Sequence, residues 1–543
     1  MSGGSRGSPN LRANMSTPAV YMAQRDFAVG DIAGNRQKLL HAAQKAHAAG
    51  AAAVLSPELA LSGYCPEDML YDDSFMEAVE RGLPQFAAEA PPLPIVAGLP
   101  LREDGRLYDA AALICNGRVR GVYKKVFLPN YSVFDERRYF SSGDNPPLLF
   151  ESGGVKFAVQ ICADVWENKQ AERAAKTGAA WTLSLNASPF YLGKHRERLA
   201  AAAEFVRISG GGLFYCNMVG GQDELIFDGA SFAMDQAGKI GGQFPALREY
   251  EGAGAEINAK MPEADEAAYE SLVMGVRDYA AKTGFARGAV LGLSGGVDSA
   301  LTAAVAADAL GPERVLAAMM PSCYTSAESL EDAAAIARNL GVELLNIPIG
   351  GLMKAADDSL SSHMRPREND ATMENVQARL RGMLLMALSN NRGLLLLATG
   401  NKSELACGYA TLYGDMCGGF APLKDASKTR VWSLARFRNK RGEAIPPRVI
   451  SRAPSAELRE NQTDEQTLPP YADIDRAIGA HIENGVSRPE LARDFNGEFI
   501  DRFFNLLAGG EHKRRQGAIG PKITRRAFGR DWRMPVANRY RHD

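Results

Sequence analysis

Residues 288–299 read Gly-Ala-Val-Leu-Gly-Leu-Ser-Gly-Gly-Val-Asp-Ser. An apolar run ends in three small residues, Ser294, Gly295 and Gly296. An alanine-rich segment then fills residues 300–310 until Gly311 and Pro312 stop it. This order predicts a strand, a tight glycine turn and a helix N-terminus. Backbone N–H groups in such a turn point at one place, and the helix dipole favours an anion there. Glycine lets a phosphate approach the backbone closely. Asp298 can hold a divalent cation beside that phosphate. The Lys-Ser/Thr pair of the common P-loop is missing.

Downstream, the same alternation continues. A helix reaching about residue 282 leads into the strand at 289–293, and further strands are expected at 315–320, 343–347 and 394–398. Helices between them imply right-handed crossovers and a parallel sheet, whose ligands sit at the carboxyl ends of the strands. The glycine turn and the string Thr-Gly-Asn-Lys-Ser-Glu at 399–404 both fall at such ends. Upstream, β-rich runs recur at 52–55, 94–97, 111–115, 156–161, 181–185 and 212–216, with helical segments at 35–48 and 196–207. That pattern predicts an α/β sandwich. The acidic, glycine-rich stretch after residue 248 reads as a connection. The expected organisation is a disordered tail over 1–17, a first domain over 18–250, a linker over 251–265 and a second domain over 266–543. Met15 is an alternative start.

Composition bounds the function. With 46% hydrophobic and 23% charged residues the chain reads as soluble and globular. A formal net charge of −2 argues against polyanion binding by the chain as a whole. Seven cysteines without a C-x-x-C spacing argue against a disulfide framework or a zinc cluster, and for a reducing, cytoplasmic compartment. The apolar tract at 382–400 is broken by Ser-Asn-Asn-Arg at 389–392, so no membrane span is expected.

Three segments in the first half each place a reactive side chain at a strand end: Glu58 in Ser-Pro-Glu-Leu (56–59), Lys125 in Lys-Lys-Val-Phe-Leu-Pro-Asn-Tyr (124–131), and Cys162 in Gln-Ile-Cys-Ala-Asp-Val-Trp (160–166). A thiol is a nucleophile as its thiolate. A carboxylate can take its proton and later activate water. An ammonium favours the thiolate and stabilises a tetrahedral oxyanion. Taken together the segments resemble the nitrilase family of carbon–nitrogen hydrolases. The resemblance implies that Glu58 is the base, Lys125 the oxyanion partner and Cys162 the nucleophile of an amide-cleaving triad. Lys124 and Cys65 are rivals for two of these roles, although the K-x-x-L-P spacing favours Lys125. The residue after the nucleophile is Ala163, where the family usually has an acid. Residues 186–194 and 217–224 are similar to the glutaminase branch, which implies that Tyr131, Ser188 and Lys194 hold glutamine.

In the second half, polar strings interrupt apolar helices at 374–382, 399–404, 408–415, 424–429, 454–458 and 512–516. The glycine turn resembles the SGGxDS loop of the PP-loop ATP pyrophosphatases. The whole set, joined to the first half, resembles the glutamine-dependent NAD synthetases from about residue 20 to residue 541. That resemblance implies an N-terminal nitrilase-like α-β-β-α sandwich followed by a Rossmann-like parallel sheet of the PP-loop class. It implies ATP on Gly292, Leu293, Ser294, Gly295, Gly296, Val297, Asp298, Ser299, Thr399, Lys428 and Ser455. It implies deamido-NAD on Asn375, Arg379, Glu404, Asp415 and Lys513, and Mg²⁺ on Asp298 and Glu404. The implied reaction is amidation of deamido-NAD to NAD⁺ through an acyl-adenylate, with ammonia drawn from glutamine and AMP and pyrophosphate released. A homo-oligomer is expected, without nucleic-acid or membrane partners.

Two rival readings remain at this level. SGGxDS loops also serve synthetases with other acceptors, tRNA among them, and residues 512–542 carry ten Lys/Arg against the single acid Asp531. Alternatively, the first domain is a non-catalytic scaffold and the synthetase takes free ammonia.

Overall fold

The structure is a computed structural model that describes residues 17–255, 257–365 and 370–540. Residues 1–16 of the expected tail lie outside the described residues.

The first lobe is built from β1 (Val20–Gln24), β2 (Ala53–Leu55), β3 (Ile95–Glu103), β4 (Arg106–Cys115), β5 (Arg118–Lys124), β6 (Leu148–Ser152), β7 (Val155–Ile161), β8 (Trp181–Asn186), β9 (Gly212–Asn217), β10 (Val219–Gln222), β11 (Leu225–Asp228), β12 (Phe232–Met234), β13 (Ile240–Gln243) and β14 (Tyr250–Ala253). Along β1, Val20 and Met22 enter one apolar cluster while Tyr21 and Ala23 enter another. That period of two is what a strand buried on both faces requires. The strands form two six-stranded sheets, ordered β14-β1-β2-β3-β4-β5 and β13-β12-β9-β8-β7-β6. Between the sheets pack Val20, Met22 and Leu55 from the first against Phe157, Val159 and Phe214 from the second. Helices α1 (Ile32–Ala48) and α2 (Asp73–Glu89) cover the outer face of the first sheet, and α3 (Asn168–Thr177) and α4 (Lys194–Ser209) that of the second. Both N-termini on the first sheet are capped, Asp31 accepting from the Gly34 N–H and Asp72 from the Ser74 N–H. The result is the α-β-β-α sandwich expected from the sequence.

The expected linker over 251–265 needs correction. Its first residues belong to β14, which pairs antiparallel with β1, Ala253 opposite Tyr21 and Tyr250 opposite Gln24. Glycine and acid content suggested a connection, but β1 would otherwise expose an unpaired edge. Glu251 also meets Arg25 at 3.2 Å and Lys45 at 2.6 Å, so its charge is used locally.

The second lobe has a parallel four-stranded sheet of β15 (Ala289–Gly292), β16 (Val315–Met319), β17 (Glu343–Asn346) and β18 (Leu395–Leu397), in the order β17-β16-β15-β18. Around it run α5 (Ala264–Lys282), α6 (Val297–Leu310), α7 (Ala327–Leu340), α8 (Gly350–Leu360), α9 (Thr372–Arg392), α10 (Lys402–Cys407) and α11 (Lys428–Asn439). Ala289 and Leu291 point into the cluster formed with α5, α6 and α11, and Val290 into the one formed with α9. Because β16 and β18 flank β15 on opposite sides, the strand order reverses there. The crevice at that reversal is where ligands of open parallel sheets bind.

The two lobes meet on both sides of the β10–β11 hairpin. On one side Asp278 of α5 accepts the Gly221 N–H at 2.7 Å, and Lys282 reaches Asp26 at 2.7 Å. On the other, the C-terminal segment hydrogen-bonds the first lobe through Lys522 N–H to Glu224 O at 2.8 Å and Leu192 N–H to Ile523 O at 3.0 Å.

Candidate active sites

The first site is made by loops leaving β2, β5 and β7. Glu58 follows β2 in a turn held tightly against β3. The Gly98 N–H donates to Ser56 Oγ at 3.1 Å, and Gly98 O accepts from the Leu61 N–H at 2.9 Å. A Cβ on Gly98 would lie 2.5 Å from Leu59 N, so only glycine permits this approach. Lys125 ends the β5 run, and Cys162 stands at the end of β7 with φ of 42°, a left-handed conformation costly for any residue but glycine. Asp164 fixes this turn to the lysine segment, accepting from the Phe127 N–H and the Tyr123 hydroxyl, each at 2.8 Å.

Glu58, Lys125 and Cys162 converge as the sequence implied. Lys125 is completely buried. Its Nζ lies 2.5 Å from Glu58 Oε1, 2.8 Å from Glu136 Oε1 and 3.3 Å from Asp109 Oδ2. The other oxygen of Glu58 accepts the Ala187 N–H at 2.8 Å. Burial, the largest influence, disfavours the ammonium, but Glu136, Glu58 and Asp109 together outweigh it and raise the Lys125 pKa well above its ordinary value. Burial, then the Glu58 charge, pushes the Cys162 thiol well up. The resting sulfur is therefore a thiol, and the carboxylate that can accept its proton is next to it. Burial also raises Glu136 to about 7. The rivals are placed elsewhere: Lys124 pairs with Glu103 and lies over Tyr108, while Cys65 faces Glu67 and is pushed by burial to about 12.

The residues implied for glutamine border the same space. Lys194 begins α4 with its ammonium 4.1 Å over the Trp166 ring. Burial, then Arg198, lowers it to about 8. Tyr131 is exposed, edge-on to Phe134, and the Cys162 thiolate would act on both Tyr131 and Lys194. Ser188 is buried, with its Oγ accepting from Arg198 Nε at 3.0 Å. Arg198 is itself buried on Asp228 at 2.7 Å. The hydroxyl of Tyr215, on β9, is buried beside Ser188 and Cys162.

The second site lies at the reversal point. Loop 294–299 closes on itself: Ser294 N–H donates to Ser299 Oγ at 3.2 Å, and Ser299 Oγ donates to Gly296 O at 3.0 Å. Gly295 has φ of 85°, and a Cβ there would stand 2.3 Å from Ser329 O of α7. Gly292 ends β15, the Leu293 N–H donates to Ala318 O at 2.9 Å, and Val297 opens α6. Lys428, at the start of α11, puts its Nζ 2.5 Å from Asp298 Oδ2 and 3.4 Å from Glu404 Oε1. Asn401 locks both acids. Its amide donates to Asp298 Oδ1 at 2.8 Å, and it forms a capping box with Glu404 at the start of α10. Burial, then Asp298, raises Glu404 to about 8. Burial opposes the Lys428 ammonium, but Asp298 and Glu404 prevail and its pKa is raised. Two oxygens thus converge on one positive charge, a donor set that fits Mg²⁺ as well as the lysine. Thr399, just beyond β18, is partly buried.

Other implied residues stand apart from this cluster. Ser455 is exposed and its hydroxyl donates to Gln462 O at 2.6 Å, within its own loop. That loop is tied to the start of α7 by Glu457, which accepts from Ser326 and Ser329, each at 2.8 Å. Asn375, Arg379, Asp415 and Lys513 all grip the segment after α10. Asn375 accepts from the Thr411 hydroxyl at 2.8 Å and Arg379 donates to Leu412 O at 3.2 Å. Asp415 accepts the Thr411 N–H at 2.6 Å, and Lys513 donates to Gly408 O and Ala410 O, each at 2.7 Å. Glu404 heads the helix leading into that segment and so connects the two groups.

Sequence reasoning missed Asp109, Glu136, Asp164, Arg198, Tyr215 and Asn401. The basic character of residues 512–542 also has another use. Arg514 donates to the carbonyls of Leu405 and Ala406, Lys522 pairs with Asp531, and Arg530 pairs with Glu67 of the first lobe. These three of the ten cations are thus paired within the protein.

Residues 19–250 match the carbon-nitrogen hydrolase family model and residues 268–517 that of NAD synthase. Glutamine-dependent NAD(+) synthetase of Acinetobacter baylyi is 43% identical over 97% of this chain and 100% of its own length. That of Thermotoga maritima is 39% identical over 96% and 99%. A solved structure of the Acinetobacter baumannii glutamine-dependent NAD+ synthetase, in complex with adenosine diphosphate, is 41% identical, covers 96% of this chain and 98% of its own, and has a TM-score of 0.77. Among the described residues no helix is long and apolar enough to cross a membrane. The chain belongs to the family of glutamine-dependent NAD(+) synthetases.

Proposed function

We propose that the first site hydrolyses glutamine and that the second amidates deamido-NAD with the ammonia released. The observation that carries this reading is the pair of polar clusters, the buried Glu58–Lys125–Cys162 and the partly buried Asp298–Lys428–Glu404, one in each lobe.

At the first site Cys162 Sγ attacks the carboxamide carbon of glutamine, and its proton passes to Glu58. Glu58 then protonates the departing nitrogen, and ammonia leaves a thioester. Water attacks the thioester, Glu58 accepting its proton and returning it to sulfur as glutamate departs. Lys125 keeps Glu58 in place, and its positive charge offsets the oxyanion. Lys194 meets the α-carboxylate of glutamine, with Tyr131 and Ser188 supplying hydroxyls. The intact triad favours catalysis over a scaffold role.

At the second site the loop from Gly292 to Ser299, with Thr399, Lys428 and Ser455, receives ATP. The adenosine diphosphate in the Acinetobacter baumannii structure supports an adenine nucleotide. Asn375, Arg379, Glu404, Asp415 and Lys513 receive deamido-NAD. Its nicotinate carboxylate attacks the α-phosphorus, pyrophosphate leaves, and ammonia then displaces AMP from the acyl-adenylate. Lys428 and the loop amides offset the charge of the leaving pyrophosphate. Asp298 and Glu404 are the residues to hold Mg²⁺, which when bound supplies further charge to that leaving group.

At neutral pH free ammonia is mostly ammonium, which has no lone pair, so transfer inside the protein is favoured. An open cleft of about 930 Å³ lies between the lobes. It is lined by Gly193, next to Lys194, and by Ser427 and Thr429, on either side of Lys428. Cysteine usage supports a cytoplasmic location. Exposed Met383 and Tyr413 beside Arg379 offer a face for a second copy. Cys162→Ala tests the division of labour. It is expected to abolish NAD⁺ formation from glutamine and to preserve formation from ammonium chloride. Equal loss of both overturns it.

A further inference from the structure

The charges around Lys125 do not balance if every acid is ionised. Glu58, Asp109 and Glu136 bring carboxylate oxygens within 4.8 Å of one another, all three residues are buried, and among the described residues the cation they share is the Lys125 ammonium. Three ionised acids on one lysine would leave two uncompensated charges in a dry interior, where an unpaired charge is strongly disfavoured. One acid at least must therefore be neutral.

Hydrogen bonding identifies which. Each Glu58 oxygen already accepts one hydrogen bond, from Lys125 on one and from the Ala187 N–H on the other, as an ionised carboxylate does, and each keeps a second lone pair. Glu136 accepts on Oε1 from Lys125 at 2.8 Å and from the Tyr64 hydroxyl at 3.0 Å, and its Oε2 lies 2.7 Å from the Lys125 ammonium. Asp109, in mid-strand on β4, lies 3.3 Å from Lys125 Nζ, but among the described residues neither of its side-chain oxygens accepts a hydrogen bond, and its carboxyl stands within 4.8 Å of that of Glu58. Two carboxylates cannot bond to each other. A carboxylic acid and a carboxylate can, and such a bond is a strong one.

We propose that Asp109 carries a proton in the resting enzyme and donates it as a hydrogen bond to the Glu58 carboxylate, acting as a positioning residue for the general base. The groups facing it are Glu58, Glu136, Lys125, and Cys162 beyond Glu58. Burial, with the neighbouring Glu58 and Glu136 charges overcoming Lys125, favours its acid form. The proton stays on Asp109 throughout the cycle. Its function is to leave Glu58 as the ionised acid beside the thiol and to limit the negative charge that would oppose thiolate formation. This proposal rests on the reading of Cys162 as nucleophile for its kinetic arm only.

The test has two arms. In the first, infrared spectra of the full-length wild type and Asp109→Asn are subtracted at neutral pH. The wild type is expected to show an additional carboxylic-acid carbonyl band, and a carboxylate band in its place overturns the proposal. This arm does not depend on what the thiol does. In the second, Asp109→Ala, which leaves no donor, is expected to lower glutamine-dependent kcat/KM by about tenfold or more. Asp109→Asn, which keeps a neutral donor, is expected to rescue it to within about threefold of wild type with the same acidic limb. An Asn variant as poor as the Ala variant, or one with a displaced limb, overturns it. Ammonium-driven NAD⁺ synthesis by each variant reports that the fold is intact.

Discussion

Gly98→Ala places one methyl group between β3 and the turn that carries Glu58. That carbon would stand 2.5 Å from Leu59 N, 2.7 Å from Pro57 O and 3.0 Å from the Glu58 carbonyl carbon. Ordinary contact begins at 3.4 Å, so the turn must retreat by about 0.9 Å. It cannot swing freely, because hydrogen bonds from Gly98 N–H to Ser56 and from Leu61 N–H to Gly98 O hold it on both sides of Glu58. A misplacement of about 1 Å at a catalytic group can cost about a hundredfold in rate, and overpacking costs about 1–3 kcal/mol of stability. The expected result is a glutaminase reduced about a hundredfold, with ammonium-driven NAD⁺ synthesis near wild type and a lowered Tm. Chromatographic assay of glutamate and NAD⁺, with each nitrogen donor in turn, separates the two activities. An unimpaired glutaminase in a folded Gly98→Ala protein would refute the claim that this close approach positions Glu58.

Other expectations follow from the same charges. Lys428→Met removes the cation shared by Asp298 and Glu404, so NAD⁺ synthesis should fail with glutamine and with ammonium alike, while Cys162 remains reactive toward iodoacetamide. Lys194 is held near pKa 8 by burial and by Arg198. Below that pH it is charged and can bind a carboxylate, and above it the charge is lost. The KM for glutamine should rise by about tenfold per pH unit once past 8, and a pH-independent KM would remove Lys194 from substrate binding. Arg198→Met leaves Asp228 buried and unpaired, which should cost about 3–5 kcal/mol in urea denaturation.

The sequence made the reactive loops readable because each follows an apolar run at a strand end. Glu58, Lys125, Cys162 and the 294–299 turn all have that signature. Asp109 does not, since it sits inside β4 among Tyr108 and a run of alanines, where periodicity indicates core and nothing marks the acid. Glu136 and Arg198 were hidden for a related reason. Each lies in a helical segment beside other charged residues, and only the fold turns it inward onto Lys125 or Asp228. The β14 edge was missed because backbone pairing, not side-chain pattern, holds it in place. The uses of Arg514 and Arg530 were hidden because Leu405, Ala406 and Glu67, which they meet, are far away in sequence.

The central claim is that one chain moves the amide nitrogen of glutamine onto an adenylated carboxylate. Incubation with deamido-NAD, ATP and glutamine labelled with ¹⁵N at the amide, in an excess of unlabelled ammonium, tests it most directly. Labelled NAD⁺ is expected, with AMP and pyrophosphate in equal amounts. NAD⁺ carrying only unlabelled nitrogen, or ADP and orthophosphate as the spent nucleotide, would contradict it.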